Sequence, residues 1–146
     1  PDVGRAKLAR DIASRVNGDF AIVDKKRSGN LEQAEAMTLI GDVEGRDCIV
    51  LDDEVLTGGT VASAVRLLRQ RGARSVRVAC VHPVMSAKAF EALDIPEIDE
   101  IVFTDTLPLV HGQFKTVPTR VLSIAPLIGD AMHRIHTGGS VGALFH

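Results

Sequence analysis

Residues 49–60 read IVLDDEVLTGGT, an apolar run followed by an acidic pair and a glycine turn. Residues 48–51 are apolar throughout, as in a strand buried in a parallel sheet, and Asp52 and Asp53 stand at the end of that run. After the glycine turn, apolar residues recur at helical spacing as far as Gly72, a residue that can close a helix. The order strand, glycine turn and helix predicts an α/β fold.

The alternation of strands and helices continues on both sides of this segment. Further strands are predicted at residues 20–23, 37–40, 75–81, 101–103 and 121–124. Further helices are predicted at residues 4–16 and 86–93 and from Pro126 onwards. Such alternation predicts a mostly parallel sheet with helices on both faces. Because the chain has 146 residues and no convincing linker or repeat, we expect residues 1–146 to form one domain.

The composition excludes several classes of function. Hydrophobic residues make up 45% and charged residues 25% of the chain, as in soluble globular proteins, and no apolar run approaches the ~18 residues of a membrane span. Aromatic residues are only 3%, without Trp or Tyr, and the net charge is -2, so nucleic acid is not an expected partner. We expect a cytoplasmic protein in which Cys48 and Cys80 are small buried thiols rather than a disulfide.

The acidic pair and the glycine loop, which is TGGT at residues 57–60, predict a sugar-phosphate site. Ligands of open α/β sheets bind beyond the carboxyl ends of the strands, where Asp52 and Asp53 stand. Backbone N–H groups, the hydroxyls of Thr57 and Thr60 and the positive end of the following helix can surround a phosphate, and glycine lets the backbone approach it closely. The carboxylates can accept hydrogen bonds from vicinal ribose hydroxyls, directly or through a divalent metal.

Alternative sites and motifs are less favoured. A GxxxxGK[ST] motif would need a lysine that this loop lacks, and GxGxxG is not matched. A simple acidic strand end followed by a tight turn remains an alternative, although two aspartates after an apolar strand count against it. His133 and His136 lie three residues apart on the last predicted helix without an evident third metal ligand, and we interpret them as part of a solvated face. His82 lies at another strand end and is not assigned a catalytic role, because a lone histidine is more often structural; a position lining the site is the alternative.

Several other segments carry motifs in a fixed order along the chain: PDVG, AIVDKKR, LIGDVEGRD, VHPVMSAKA, IVFTDTLP, VLSIAPLIGDAMHRIH and SVGALF. Together with residues 49–60, which resemble the phosphoribosyl-diphosphate motif of type I phosphoribosyltransferase folds, they resemble the C-terminal half of the ribose-phosphate pyrophosphokinases. The resemblance implies a phosphoribosyltransferase-like fold and a longer, two-domain parent of which this chain is the C-terminal domain. It also implies an activity with Mg²⁺, in which the β,γ-diphosphoryl group of ATP moves to the 1-hydroxyl of ribose 5-phosphate and yields phosphoribosyl diphosphate and AMP for nucleotide biosynthesis.

The resemblance assigns the substrate site to residues 52–60. Asp52 and Asp53 match the acids that contact the ribose hydroxyls. The residues that match the 5-phosphate-binding loop are Thr57, Gly58, Gly59 and Thr60. This segment is therefore the predicted ribose 5-phosphate site.

Residues outside that segment also receive roles from the resemblance. Lys25 and Arg27 match the basic residues of a mobile catalytic loop, and a lysine with a forked arginine suits the negative charge that builds up during diphosphoryl transfer. A solvated charged turn is the alternative for this cluster. Asp2 matches an aspartate at the divalent metal, with a helix N-cap as the alternative. Ser140 and Phe145 match a C-terminal segment that helps to form a regulatory site for ADP and phosphate, and the resemblance implies homo-oligomers, from dimers to hexamers.

The chain departs from the pattern at particular positions. Leu56 stands where many of these enzymes have an acid that faces the sugar phosphate, and Arg5 replaces a second glycine after PDVG. We find no equivalent of the N-terminal domain that supplies most of the contacts to ATP. A non-catalytic module that binds phosphoribosyl diphosphate and has a regulatory role is therefore the alternative hypothesis. A phosphoribosyltransferase that consumes the diphosphate is less favoured, because no segment for a base-binding hood is evident.

Overall fold

The computed structural model describes the backbone of residues 6–26 and 36–145 and the side chains of residues 9–23 and 37–145. The helices are α1 (Ala6–Arg15), α2 (Gly59–Gln70), α3 (Ala87–Leu93) and α4 (Ala125–Thr137). The strands are β1 (Ile22–Lys26), β2 (Ala36–Ile40), β3 (Asp47–Glu54), β4 (Ser75–His82), β5 (Glu100–Thr104) and β6 (Thr119–Leu122). A 3₁₀ turn, Gly142–Phe145, follows α4.

A parallel sheet of four strands organises this part of the chain. Its order, β3-β4-β5-β6, is the order of the sequence, and every neighbouring pair is parallel. The predicted α/β fold with a mostly parallel sheet is confirmed. β1 and β2 form a separate antiparallel pair in which Asp24 lies opposite Thr38 and Lys26 opposite Ala36. The strand predicted at residues 20–23 lies instead at Ile22–Lys26, because the charged residues after Val23 take part in this pairing.

The core lies between one face of the sheet and helices α2 and α3. Val76, Val78 and Cys80 alternate along β4 toward this face, as a pleated strand requires, and all three are buried. Helix α2 presents a stripe of apolar side chains to them at spacings of three and four residues, so that one side of the helix is buried. The buried residues of α2 are Val61, Ala62, Ala64, Val65 and Leu68. Those of α3 are Ala89, Phe90 and Leu93.

The opposite face of the sheet is more open. Ile49 of β3 is 61% exposed, so this strand is not buried on both faces as the apolar run suggested. Ala9 and Ile12 of α1 lie beside this face and line, with Leu51, Val81 and other residues, a cavity of about 260 Å³. Helix α4 buries none of its residues.

The cysteines and the lengths of the helices are two further features of the described residues. Cys48 and Cys80 are both free thiols, half-buried and buried respectively. Within the described ranges, no helix has the length and apolar content needed to cross a bilayer.

Candidate functional site

The carboxyl ends of the four parallel strands gather polar side chains at one edge of the sheet. Asp52 and Asp53 lie near the end of β3, and Glu54 ends it. His82 ends β4 directly opposite Glu54, and Thr104 ends β5. Because the strands are parallel, all these ends meet at the same edge, which is where open α/β sheets bind ligands.

The acidic pair belongs to the strand itself. Asp52 faces the same side of the sheet as Cys80, its partner in register, and is half-buried, whereas Asp53 is exposed. The backbone N–H of Asp53 donates to Asp52 Oδ1 over 3.0 Å, which fixes the Asp52 carboxylate relative to the strand. Both residues border the 260 Å³ cavity. Because successive side chains of a strand point to opposite faces, Asp53 is the one on the open face of the sheet. The strand end thus carries two neighbouring carboxylates, which are acceptor groups when ionised.

The glycine loop leads directly into α2. Gly58 is the N-cap residue and has a left-handed backbone with φ of 73°, and no side chain caps the helix. The first N–H groups of a helix have no partner within it, so this end is suited to bind an anion. Thr57, Gly59 and Thr60 are exposed around it.

The two glycines of the loop have different surroundings. A Cβ atom at Gly58 would lie 2.9 Å from Leu93 Cγ and 3.3 Å from the carbonyl oxygen of Ala89, so the loop backbone packs tightly on α3. A Cβ atom at Gly59 would meet nothing within 4 Å. Gly58 is therefore needed for packing, whereas Gly59 borders open space.

The segment after β4 holds the approach to the glycine loop. Val55 N–H donates to the carbonyl of His82 over 3.3 Å, and Met85 N–H donates to the carbonyl of Val55 over 2.9 Å. The N–H and the hydroxyl of Ser86 both donate to the carbonyl of Leu56, each over 2.9 Å. The Leu56 backbone is thus fixed by these hydrogen bonds, while the residue itself is 53% exposed.

A second polar cluster at the same edge joins β4 to the residues after β5. The hydroxyls of Thr104 and Thr106 donate to the carbonyl of Val81, over 2.6 and 2.9 Å. Thr106 Oγ1 also lies 3.1 Å from His82 Nδ1, in a hydrogen bond whose donor is set by the tautomer of His82. This contact joins the end of β4 to the residues after β5.

The thiol nearest to the acidic pair is unreactive. Cys80 Sγ lies 3.3 Å from the carbonyl oxygen of His82 and 3.9 Å from that of Asp53. Burial raises the pKa of the Cys80 thiol to about 11, so it stays protonated at neutral pH. Both the burial and the raised pKa disfavour a thiolate nucleophile at this position.

Of the remaining predicted residues, some lie in other elements and two fall outside the described part of the chain. Lys25 lies within β1, opposite Met37, rather than in a loop, while Arg27 and Asp2 lie outside the described residues. The carbonyl of Ser140 accepts from Arg134 over 3.2 Å, and Phe145 lies exposed in the terminal 3₁₀ turn. Among residues 9–23 and 37–145, no three His, Cys, Asp or Glu side chains converge as a metal site.

Comparisons with known proteins identify the family of this chain. A family model described as the phosphoribosyl synthetase-associated domain matches residues 14–146. The chain belongs to this family. Ribose-phosphate pyrophosphokinase from Ralstonia nicotianae is 42% identical over 145 residues, which are 99% of this chain and 46% of that protein. The ribose-phosphate pyrophosphokinase of Helicobacter hepaticus is also 42% identical, over 147 residues that are 99% of this chain and 46% of that protein.

A solved structure supports the same assignment. The crystal structure of phosphoribosylpyrophosphate synthetase from Mycobacterium smegmatis is similar with a TM-score of 0.82 and 36% sequence identity, over 95% of this chain and 44% of that one. The phosphoribosyl synthetase-associated domain thus has the α/β fold of that synthetase. The chain spans about half the length of the curated relatives that it matches.

Sequence reasoning missed some residues of this phosphoribosyl synthetase-associated domain. Thr104 and Thr106 were not predicted as site residues, although a threonine pair directly after a predicted strand is a signal for a strand-end cluster. His82 was identified as a strand-end residue, but its hydrogen bond to Thr106 joins positions 24 apart. Ser86 contacts Leu56 across 30 positions, and no pattern in the sequence links the two.

Proposed function

We propose that this chain forms the ribose 5-phosphate half of a ribose-phosphate pyrophosphokinase. The single observation that carries the proposal is the acidic pair and the glycine loop at one edge of the sheet, in a chain 42% identical to enzymes of that name. In this proposal the residues 1–146 act as the C-terminal domain of a longer protein. Its reaction is the transfer of the β,γ-diphosphoryl group of ATP to the 1-hydroxyl of ribose 5-phosphate.

The substrate is held from two ends. The open space at Gly59, the uncapped start of α2 and the hydroxyls of Thr57 and Thr60 support binding of the 5-phosphate. Asp52 and Asp53 accept hydrogen bonds from the ribose hydroxyls. Because the phosphate and the diol are held at separate points, the sugar is oriented as well as bound, which is how positioning lowers the barrier of a transfer reaction.

Mg²⁺ is the cofactor in this proposal, and the residues present fit it. The carboxylates of Asp52 and Asp53 are the hard oxygen donors that Mg²⁺ prefers, and one or two carboxylates with substrate oxygens are its usual ligands. Asp2 is a further proposed ligand. When bound, the ion neutralises charge on the diphosphate. Lys25 and Arg27 donate to the oxygens on which negative charge develops, as expected for a transfer that depends on positioning and charge stabilisation.

The regulatory and cellular parts of the proposal follow from the same family. We propose a cytoplasmic homo-oligomer, from dimer to hexamer, with a site for ADP and phosphate that includes Ser140 and Phe145. Dynamic light scattering with and without phosphate tests the assembly. A monomer under both conditions would contradict the proposed oligomer and leave the proposed reaction untouched.

A second function is favoured by Leu56. An exposed leucine stands directly before the glycine loop, where many enzymes with the pyrophosphokinase pattern have an acid. In this alternative, the chain binds phosphoribosyl diphosphate as a regulatory module and does not catalyse its synthesis.

The activity of the longer protein distinguishes the two functions. The protein that contains this chain is incubated with ribose 5-phosphate and MgATP, and AMP is measured. We expect AMP from the wild type and a loss of at least about a hundredfold in an Asp52→Asn, Lys25→Ala variant, because both binding and charge stabilisation are removed. A longer protein that makes no AMP with intact motifs contradicts the kinase function and leaves the binding module.

Calorimetry on the chain itself tests the site. We expect ribose 5-phosphate to bind with a dissociation constant below about 1 mM, which corresponds to about 4 kcal/mol. Ribose, the same sugar without the phosphate, is the matched control ligand. No heat of binding at millimolar ribose 5-phosphate would argue against a competent glycine loop.

A further inference from the structure

We infer that Ser86 is a positioning residue for the glycine loop, residues 57–60. The inference rests on the proposed function, in which this loop binds the 5-phosphate. Ser86 lies outside the loop and donates to the backbone of Leu56, the residue directly before it.

The contact is a double one. The carbonyl oxygen of Leu56 accepts from the N–H of Ser86 and from its hydroxyl, each over 2.9 Å. One residue earlier, Val55 exchanges hydrogen bonds with His82 and Met85. Residues 55 and 56 are thus hydrogen-bonded to the end of β4 and the segment after it. The bonds from Ser86 to Leu56 are the last of these before the glycine loop.

The hydroxyl of Ser86 makes this contact in place of its usual one. Ser86 is the N-cap residue of α3, and serine at such a position usually accepts a hydrogen bond from an N–H of the first helical turn. Here no side-chain cap bond is formed, and the hydroxyl donates to Leu56 instead. A local stabilisation of α3 is therefore replaced by a contact that fixes the approach to the glycine loop.

The same helix supports the loop on its other side. Gly58 packs so closely on α3 that an added Cβ would lie 2.9 Å from Leu93 Cγ and 3.3 Å from the carbonyl oxygen of Ala89. Thr57 is thus flanked by Leu56, which is bonded to the start of α3, and by Gly58, which packs on its body. Helix α3 therefore supports the loop at Leu56 and at Gly58. At Leu56, the hydroxyl of Ser86 is the only side-chain donor among the described residues.

A Ser86→Ala variant tests the inference. It removes the hydroxyl, keeps the N–H bond to Leu56 and removes no cap from α3. We expect ribose 5-phosphate to bind about fivefold more weakly, the effect of one hydrogen bond. Without ligand, we expect the ¹⁵N order parameters of residues 57–60 to fall from about 0.85 toward 0.6, because the loop is less well fixed.

Two further variants control for general effects. Ser86→Thr keeps a hydroxyl at the same position, and its extended backbone, with ψ of 167°, accepts a β-branched residue, so both measurements should return to the wild-type values. Ser75→Ala removes a serine hydroxyl that donates to Asp47 over 2.6 Å at the opposite end of β4, and it should leave both unchanged.

The outcomes separate the inference from the function on which it rests. Equal affinity and equal order parameters in Ser86→Ala and the wild type overturn the inference, and so does an equal loss in Ser75→Ala, which would make the effect one of general stability. If the wild type does not bind ribose 5-phosphate but the order parameters fall in Ser86→Ala alone, the proposed function fails and Ser86 still positions the loop.

Discussion

Gly58 and Gly59 are neighbours in sequence, yet an added methyl group at the two positions has opposite consequences. At Gly58 the backbone φ is 73° and the methyl would collide with Leu93, a buried residue of α3. We expect Gly58→Ala to lower the free energy of unfolding by about 1–3 kcal/mol, measured by urea denaturation.

Gly59→Ala is the matched variant. Its methyl would meet nothing within 4 Å, and alanine is the better residue inside a helix, so the free energy of unfolding should be unchanged or slightly higher. Its affinity for ribose 5-phosphate should nevertheless fall, because the methyl occupies the space of the phosphate. Equal destabilisation by both variants would contradict the different surroundings of the two glycines.

Leu56, directly before the glycine loop, is a position where a side chain can be exchanged at little cost to the fold. Its side chain is 53% exposed, so Leu56→Asp should change the free energy of unfolding by no more than about 0.5 kcal/mol. If the acid supplies a metal contact, calorimetry should show affinity for ribose 5-phosphate that depends more strongly on Mg²⁺, by about fivefold. Leu56→Asn, without the charge, should not show this, and an equal response of both variants would exclude a role of the charge.

At the scale of elements, Asp94 joins the end of α3 to the segment before β6. Its carboxylate accepts from the hydroxyl of Thr116 over 2.6 Å and from the N–H groups of Lys115, Thr116 and Val117 over 2.9–3.0 Å. The hydroxyl of Thr116 and then these N–H groups hold the pKa of Asp94 well below its usual range. Their bonds favour the ionised form, and this outweighs the effect of burial.

The depressed pKa predicts a loss of stability in acid. A group whose pKa is lower in the folded than in the unfolded state stabilises the fold above its unfolded pKa of about 3.9, and this contribution is lost as the pH falls toward the folded value. The free energy of unfolding should therefore decrease from pH 5 to pH 2, and less steeply in Asp94→Asn. Asp47 and Asp105, whose pKa values are also lowered, retain part of the dependence. An NMR titration in which Asp94 has an ordinary pKa would contradict this.

Patterns in the sequence identified the elements well and their environments less well. The helix over residues 59–70 and the parallel strands follow from apolar spacing, a glycine turn and Gly72, which are local features. β3 runs on through Asp52, Asp53 and Glu54 because it stays paired with β4 in register, which an apolar run cannot indicate. The same holds for the candidate site. The acids and glycines are contiguous in the sequence and could be predicted from it, whereas the contact between Ser86 and Leu56 exists only in the folded chain.

At the scale of the whole molecule, the apolar side chains of α4 have the amphipathic spacing expected of a packed helix, and yet they are exposed. Met132 is 65% and Ile135 is 69% exposed, whereas Val65 of α2 is completely buried. The sequence predicted the helix correctly, but amphipathic spacing alone does not determine what covers the apolar side.

This contrast predicts the energetics of the chain on its own. Met132→Lys with Ile135→Lys should change the free energy of unfolding by no more than about 0.5 kcal/mol per substitution, because little packing is lost. Val65→Ala, a smaller chemical change, should cost at least about 1 kcal/mol through the cavity that it creates. Urea denaturation of both variants measures the difference. A marked loss of stability in the lysine variant would show that α4 contributes to the core.

The double hydrogen bond from Ser86 to the backbone of Leu56 has a consequence for how this loop can evolve. Since the contact uses only the carbonyl oxygen at position 56, the course of the main chain there does not depend on which side chain the position carries. An exchange between an acid and leucine at this point therefore leaves both hydrogen bonds from Ser86 in place. At position 56, the side chain can change what the site binds while the course of the backbone stays the same.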